Sequence, residues 1–301
     1  MKAVVDGMVL ELGHIPGHVD DGHCEASLNG PAVASPPVDD EDLLDALGAA
    51  ADAVSAALGR LSDWGPAGTR PGQYRSDLVA DEAAVDVLGA AGLGVLSEES
   101  GLMDDDRGVL VVLDPLDGST NAAHGIPWFA TSLCAVDEGG PRVALVVDQA
   151  RGVRFHAIRG GGARRDGGEM RPSRRRELGD AVVALSGWPG RHLGWRQYRV
   201  LGAAALDLCA VAGGVVDAYL ECDGDSLGPW DYLAGALICR EAGAAVADAE
   251  GRDLVVLTHE ARRTPVAAAT PELLRALTRS RWEGHTTAPG SRPEASERKT
   301  S

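Results

Sequence analysis

The sequence predicts a layered fold of mixed helices and strands, of the α+β or α/β class. Segments with helical apolar spacing and short apolar runs follow one another irregularly, without the strict strand–helix–strand order of a doubly wound nucleotide-binding fold. Residues 129–159 contain three apolar runs separated by glycine-containing turns, which predicts an antiparallel meander. The chain has 301 residues and 45% hydrophobic composition, enough apolar material for one large domain.

The individual elements follow from local patterns. Residues 39–61 predict a helix, because acidic residues at its start precede one apolar stripe of Leu43, Leu44, Leu47, Ala51, Val54 and Leu58. A second helix is predicted at 78–91, with Gly92 as its stop. A buried strand is predicted at 108–113. Further strands are predicted at 181–187, 215–221 and 244–251, and further helices at 202–214, 230–243 and 270–280.

The termini differ in composition from the rest of the chain. Residues 1–38 are rich in Gly, Pro and Asp, and the spacing of their His and Cys residues fits no standard zinc site, so we expect a poorly ordered extension. Residues 282–301 are expected to form a disordered tail. Residues 39–281 are expected to form a single domain, with an N-terminal half at about 39–178 and a C-terminal half at about 179–281.

Charge and composition exclude several classes of partner. The formal net charge of −17 argues against nucleic acid or an anionic membrane surface, because both require a basic surface. The sequence contains no run of about 18 apolar residues, so we expect no membrane span. The N-terminus lacks the pattern of a signal peptide. Five cysteines without a CxxC pair are typical of reduced thiols. We therefore expect a cytoplasmic protein.

The stretch VVLDPLDGSTN at 111–121 carries the strongest chemical signal. Pro115 keeps Asp114 extended and lacks an N–H, so we expect the strand's ladder to end there. Gly118 permits a tight turn, and the Ser-Thr-Asn that follows favours a helix start. The pattern predicts that Asp114 and Asp117 project from one bend beside backbone amides that can bind a phosphate.

Two other motifs add carboxylates. LSEES contains Glu98 and Glu99, and PWDYLAG contains Asp231 at a predicted helix start. Carboxylates grouped at the end of a buried strand repel one another, so a cation is expected among them. Oxygen ligands without His or Cys favour Mg²⁺, and paired ions can clamp a phosphate and activate water. Taken singly, each motif also fits a structural role as a turn, a helix start or a solvated face.

Together, SEES, DPLDGSTN and WDYLAG, in this order, resemble the inositol monophosphatase family of Mg²⁺-dependent, lithium-sensitive phosphatases. That family also includes fructose bisphosphatases and 3′-phosphoadenosine nucleotide phosphatases. The resemblance extends over residues 40–280. It implies a five-layer αβαβα sandwich, a homodimer, two or three Mg²⁺ ions, and hydrolysis of a small phosphate monoester by metal-activated water.

The resemblance also implies roles for residues. Ligands of the metal ions would be Glu98, Asp114, the carbonyl of Leu116, Asp117, the hydroxyl of Ser119, and Asp231. Glu98 would also orient the attacking water, and Asp81 would assist that water together with Ser119. Substrate and phosphate contacts would come from Asp117, Gly118, Ser119, Thr120, Gly202, Ala203, Ala204, Glu221 and Asp231.

The chain departs from the family's usual pattern in four places. Ser97 precedes the glutamate pair where a glycine is common, and Ala203 stands where a hydroxyl residue is common. The segment that contains Asp81 is two residues short, and residues 222–230 form a longer connection than usual. Because the last three departures lie at or near the expected substrate pocket, the substrate stays open. Inositol monophosphate or a related sugar phosphate is the principal reading, with fructose 1,6-bisphosphate, histidinol phosphate and phosphoadenosine nucleotides as alternatives.

Two further alternatives concern the mechanism. Haloacid-dehalogenase phosphatases also place an Asp-rich motif after a strand, but their aspartates stand two residues apart and one forms an aspartyl-phosphate. Asp114 and Asp117 stand three apart. The other alternative is a non-catalytic family member that binds Mg²⁺ or a sugar phosphate without turnover.

Overall fold

The computed structural model describes residues 39–104 and 106–285, together with two short antiparallel strands, β1 (Val4–Val5) and β2 (Met8–Val9). Contacts divide the chain into units 1–37 and 38–301. Apart from β1, β2 and the end of the last helix, the expected extension and tail lie outside the described residues. The division of the domain into two halves remains a prediction.

The larger sheet has eight strands. Its order is β10-β9-β8-β7-β6-β5-β3-β4, and β3 and β5 are its parallel pair. The predicted antiparallel meander is confirmed as β6, β7 and β8. The strands are β3 (Gly94–Ser97), β4 (Gly101–Met103), β5 (Leu110–Asp117), β6 (Ala130–Asp137), β7 (Gly140–Asp148), β8 (Val153–Ile158), β9 (Gly162–Arg165) and β10 (Gly168–Glu169).

The smaller sheet has five strands in the order β12-β11-β13-β15-β14. Strand β11 is parallel to both β12 and β13, and the other pairs are antiparallel. The strands are β11 (Val182–Ser186), β12 (Gln197–Arg199), β13 (Ala218–Glu221), β14 (Ala245–Asp248) and β15 (Pro265–Ala268).

Of the six α-helices in the described ranges, five fall where apolar patterns predict helices, and the short sixth begins at the helix start indicated by Ser119. The helices are α1 (Asp40–Arg60), α2 (Arg75–Ala90), α3 (Ser119–Ala123), α4 (Ala204–Ala212), α5 (Pro229–Ala242) and α6 (Pro271–His285), with a 3₁₀ turn at Leu178–Asp180. Helix α1 begins where the acidic cap predicts, because the Asp39 carboxylate accepts the amide N–H of Asp42 at 2.8 Å. Within the described ranges, no helix combines the length and apolarity that a membrane span requires.

The core packs these elements into five layers, as expected for an αβαβα sandwich. Helices α1 and α2 pack on one face of the larger sheet, through residues such as Val111 and Leu113. Val112, on the opposite face of the same strand, packs in a second core that contains α4, α5 and one face of the smaller sheet. Helix α6 covers the other face of that sheet through Leu273 and Leu277.

Strand β5 differs from the prediction at its carboxyl end. The expectation that Pro115 ends the ladder is wrong, because pairing with β6 resumes at Asp117 and Ala130. The register shifts between Asp114 and Asp117, so the proline lies in a bulge, where its missing N–H breaks no ladder hydrogen bond. The bulge is fixed by the Thr131 hydroxyl, which donates to the carbonyl of Pro115 at 2.9 Å. Both aspartates consequently belong to a buried strand rather than to a loop.

Candidate active site

Three carboxylates meet at the carboxyl end of β5. One oxygen each from Asp114, Asp117 and Asp231 lies within 4.8 Å of the others. Asp114 is only 1% exposed and Asp117 8% exposed. Glu98 extends from the same edge of the sheet, because it directly follows β3, which pairs in parallel with β5. The structure therefore brings four of the predicted metal ligands to one end of the larger sheet.

These carboxyl groups are difficult to ionise in the absence of a cation. Burial, followed by the charges of Glu99 and other neighbours, raises the pKa of Glu98 to about 7. Burial likewise raises the pKa of Asp117 to about 7. The pKa values of Asp114 and Asp231 are raised well above the ordinary range, first by burial and then by the charge of Glu98. A buried set of oxygen donors that repel one another fits a hard divalent cation such as Mg²⁺.

Each aspartate is anchored to the backbone through one carboxylate oxygen. Asp114 accepts the amide N–H of Leu116 at 3.0 Å, inside the β5 bulge. Asp117 accepts the amide N–H of Ala205 at 2.7 Å, in the first turn of α4, where the helix dipole favours a negative charge. Asp231 accepts the amide N–H that precedes α5 at 2.6 Å. These bonds fix the side chains before any ligand binds.

The predicted phosphate cradle and substrate wall lie against each other. Gly118 has φ +85°, and a Cβ there would lie 3.0 Å from the Trp128 carbonyl oxygen and 3.1 Å from the Ala203 Cβ, so only glycine fits. Asn121, which the sequence reasoning did not identify, donates from Nδ2 to the carbonyls of Trp128 and Leu201, both at 2.8 Å. Gly202 and Ala204 adjoin this contact in the chain, and Thr120 is exposed on α3.

A cavity of about 300 Å³ adjoins the carboxylates. Its lining includes the predicted site residues Glu98 and Ser119. It also includes Asp77 and a set of cationic and aromatic side chains: Arg70, Trp230, His259 and Arg262. Glu99 does not lie on a solvated face, since its side chain is only 5% exposed and pairs with Arg70 at 2.6 Å. Gln73 also donates to the Glu99 carboxylate.

Asp77, rather than Asp81, is the carboxylate that meets Ser119. Asp77 and Ser119 line the same cavity, and the Ser119 hydroxyl acts to lower the pKa of the Asp77 carboxyl, which burial followed by the charge of Glu99 raises overall to about 6. The Asp77 carboxylate also accepts the amide N–H of Tyr74 at 2.8 Å, as the cap of α2. Asp81 instead accepts the hydroxyl hydrogen of Ser97. The sequence did give one indication of this difference. The segment around Asp81 is two residues shorter than in the family, so the alignment alone does not decide which acid lies beside Ser119.

Glu221 lies outside the carboxylate group, at the end of β13, where it pairs in register with Ser186. It is 1% exposed, and burial raises its pKa. Its Oε1 accepts the amide N–H of Asp223 at 2.8 Å, whereas its buried Oε2 has no hydrogen-bond partner among the residues described. A buried carboxylate oxygen without a partner is costly, and a ligand that donates a hydrogen bond would satisfy it.

The raised pKa values predict an unusual pH dependence of stability. The folded-state pKa values of Glu98 and Asp117, about 7, exceed their ordinary values of 4.5 and 3.8. Their neutral forms therefore stabilise the fold at low pH, and this contribution is lost as the pH rises through about 7. In EDTA, the thermal unfolding midpoint should be higher at about pH 5.5 than at about pH 8.

Saturating Mg²⁺ should reduce this difference, because the ionised carboxylates bind the cation. The carboxyl groups whose pKa is lowered, those of Asp137 and Asp248, lose their contribution only below their ordinary value of 3.8 and do not affect this window. Burial lowers the pKa of His156 from its ordinary value of 6.5, so this imidazole acts against the predicted trend below about pH 6.5. We expect Glu98 and Asp117 to outweigh it, because they are two groups and both are more deeply buried. A midpoint in EDTA that rises from about pH 5.5 to about pH 8 would contradict the prediction.

Comparison with known proteins assigns the family. A model of the inositol monophosphatase family matches residues 76–286. Nus factor SuhB from Escherichia coli strain K12 is 35% identical over an alignment of 199 residues, which covers 61% of this chain and 71% of that protein. Inositol-1-monophosphatase from Mesorhizobium japonicum is 36% identical over an alignment of 205 residues, which covers 60% of this chain and 74% of that protein.

Solved structures agree with the sequence comparison. The extragenic suppressor protein suhB from Bartonella henselae superposes with a TM-score of 0.69 at 31% identity, covering 80% of this chain and 99% of that one. A Pyrococcus horikoshii protein described as similar to inositol-1 monophosphatase gives a TM-score of 0.69 at 28% identity, covering 80% and 96%. The shared fold and the long family match, which includes the carboxylate cluster, together show that the chain belongs to the inositol monophosphatase family.

Proposed function

We propose that this protein is a Mg²⁺-dependent phosphomonoesterase that hydrolyses inositol monophosphate or a related sugar phosphate. The main support is the group of carboxylate oxygens from Asp114, Asp117 and Asp231 within 4.8 Å of one another, beside Glu98. Family membership supports phosphatase chemistry in general. The homodimer and the lithium sensitivity belong to the proposal on the strength of the resemblance alone, and the cytoplasmic location on that of the cysteine pattern.

In this proposal the metal ions are held by oxygen atoms only: the carboxylates of Glu98, Asp114, Asp117 and Asp231, the carbonyl of Leu116 and the hydroxyl of Ser119. Bound Mg²⁺ would neutralise the phosphate oxygens and lower the pKa of a water molecule. The protein's contribution is to hold the ligands rigid and dry. The backbone hydrogen bonds to the three aspartates supply that rigidity.

The remaining roles fall to groups around the carboxylates. The amides of Gly118, Ser119 and Thr120 would orient the phosphate in the cradle. Glu98 would orient the attacking water. We assign the proton acceptor beside Ser119 to Asp77, because the two residues line the same cavity and the pKa of Asp77, about 6, suits proton transfer near neutral pH.

The substrate side favours a polyol over a second phosphate. The unpartnered Oε2 of Glu221 would accept a hydrogen bond from a substrate hydroxyl, whereas a phosphate at the same place would be repelled by an ionised Glu221. The Gly202–Ala204 wall carries no side-chain hydroxyl. This combination supports a sugar or inositol ring that is recognised through hydroxyl groups by a carboxylate.

A phosphate-release assay tests the proposal. Purified protein should release phosphate from inositol 1-phosphate or another sugar monophosphate with Mg²⁺, and not in EDTA. Fructose 1,6-bisphosphate, histidinol phosphate and 3′-phosphoadenosine 5′-phosphate are the comparison substrates. Release from none of these esters would support a non-catalytic binding protein. A covalent phosphoenzyme trapped during turnover would support the aspartyl-phosphate mechanism instead.

A further inference from the structure

The segment between β14 and β15 reaches back to the carboxylate site through His259. The Nε2 atom of His259 lies 3.0 Å from the carbonyl oxygen of Glu98. The imidazole ring also packs on the indole of Trp230, with ring centroids 4.9 Å apart and a 37° angle between the planes. His259 therefore contacts both Glu98, which follows β3 and is proposed as a metal ligand, and Trp230, which precedes Asp231 in α5.

Arg262 holds His259 in this position. Its guanidinium group lies over the indole ring of Trp230, 5.1 Å from the ring centroid, and forms a cation–π contact. Its Nη1 donates to the carbonyl of His259 at 2.7 Å and to the carbonyl of Ala261 at 2.8 Å. The 259–262 segment is thus fixed to Trp230 by a ring contact and a cation–π contact, although it contains no helix or strand.

Glu98 depends on such a contact because it lies in a turn. Its amide N–H donates to the carbonyl of Leu113 at 3.1 Å, which ties it to β5. Its carbonyl oxygen accepts from His259, so the residue is held from both sides of its backbone. Trp230 is fixed in turn, because the Ser132 hydroxyl donates to its carbonyl at 3.1 Å. His259 thus links the backbone of Glu98 to the ring of Trp230, the residue before Asp231 in α5.

We propose that His259, supported by Arg262, is a positioning residue that sets the spacing between Glu98 and Asp231 and thereby the affinity for Mg²⁺. This inference rests on the proposed function, which makes both acids metal ligands. Partners that orient metal ligands without touching the metal typically contribute about 10- to 100-fold in metal affinity. His259 acts here through the backbone of Glu98, so we expect an effect near the lower limit.

Calorimetric titration of the full-length protein with MgCl₂ tests this inference without using turnover. His259→Ala should weaken Mg²⁺ binding about tenfold. His259→Gln, which keeps an N–H donor at a similar reach, should recover part of that loss. The matched control is His192→Ala, because His192 forms a similar ring contact with Trp195, with centroids 5.1 Å apart, and a hydrogen bond to the amide of Gly194. This control should bind Mg²⁺ like the wild type.

A second pair of variants covers the possibility that His259→Ala does not fold. Arg262→Ala should weaken Mg²⁺ binding, whereas Arg263→Ala should not, although Arg263 also donates to two backbone carbonyls, those of Asp253 and Arg262. Folded His259→Ala and Arg262→Ala proteins with wild-type Mg²⁺ affinity would overturn the inference and leave the proposed function intact. Wild-type protein without measurable Mg²⁺ binding would overturn both.

Discussion

Asp114→Asn is expected to lower Mg²⁺-dependent phosphate release by about two to three orders of magnitude. The side chain is almost completely buried among the other carboxylates, and asparagine has the same shape. Its Oδ1 can still accept the amide N–H of Leu116, so the β5 bulge should persist. What is lost is one negative charge and one oxygen at the centre of the site. Steady-state rates at saturating Mg²⁺, together with a circular dichroism spectrum, provide the measurement.

The same substitution should stabilise the metal-free protein above about pH 7, because it removes a charge that is repelled by Glu98, Asp117 and Asp231. Asp148→Asn provides the matched control. Asp148 is equally buried, but it pairs with Arg151 at 2.6 Å, so its replacement should lower the unfolding midpoint. Near wild-type turnover in folded Asp114→Asn would refute the assignment of a metal ligand, whatever its effect on stability.

The sequence predicted those parts of the site whose positions are set by neighbouring residues in the chain. Asp114 and Asp117 follow an apolar run, so the end of a buried strand was predictable, and Asp231 follows Pro229 at a helix start. Both features are local. The meander and α1 were predictable because apolar residues recur in them with a regular period over many residues. The layered fold was predicted from such elements in their chain order.

The sequence was less informative where distant segments meet. Short strands such as β3 and β12 carry too few residues for a period to be distinguished, and the β5 bulge depends on pairing with β6. The contact of His259 with Glu98 joins residues 161 positions apart, and no local pattern indicates it. Asn121 is similar, because its two acceptors lie in separate segments. Such contacts are set by the packing of layers rather than by local propensity.

Asp77 and Asp81 illustrate a third limit, in which two candidates differ by one helical turn. Both lie on α2, both are buried, and both accept a serine hydroxyl. The resemblance favours Asp81 by alignment, although the segment is two residues short, whereas the cavity lining that Asp77 shares with Ser119 favours Asp77. Only the position of α2 against β3 and α3 separates the two possibilities.

Asp77→Asn is therefore expected to lower turnover about a hundredfold, the lower range for loss of a positioned proton acceptor. Asparagine can still cap α2 by accepting the amide N–H of Tyr74, so the helix should start at the same residue. It cannot take up a proton at neutral pH. The expected result is a lower kcat with little change in KM, because Asp77 contacts Ser119 rather than the Gly202–Ala204 wall or Glu221.

Asp81→Asn is the matched control on the same helix. Because Asp81 accepts the Ser97 hydroxyl and does not line the cavity beside the carboxylates, this variant should lose stability more than turnover. Steady-state kinetics on both variants, normalised to the folded fraction from thermal unfolding, separates the two acids. If Asp81→Asn lost as much kcat as Asp77→Asn at equal folded fraction, the assignment to Asp77 would fail. The resemblance would then have located the acid better than the cavity lining shared with Ser119 does.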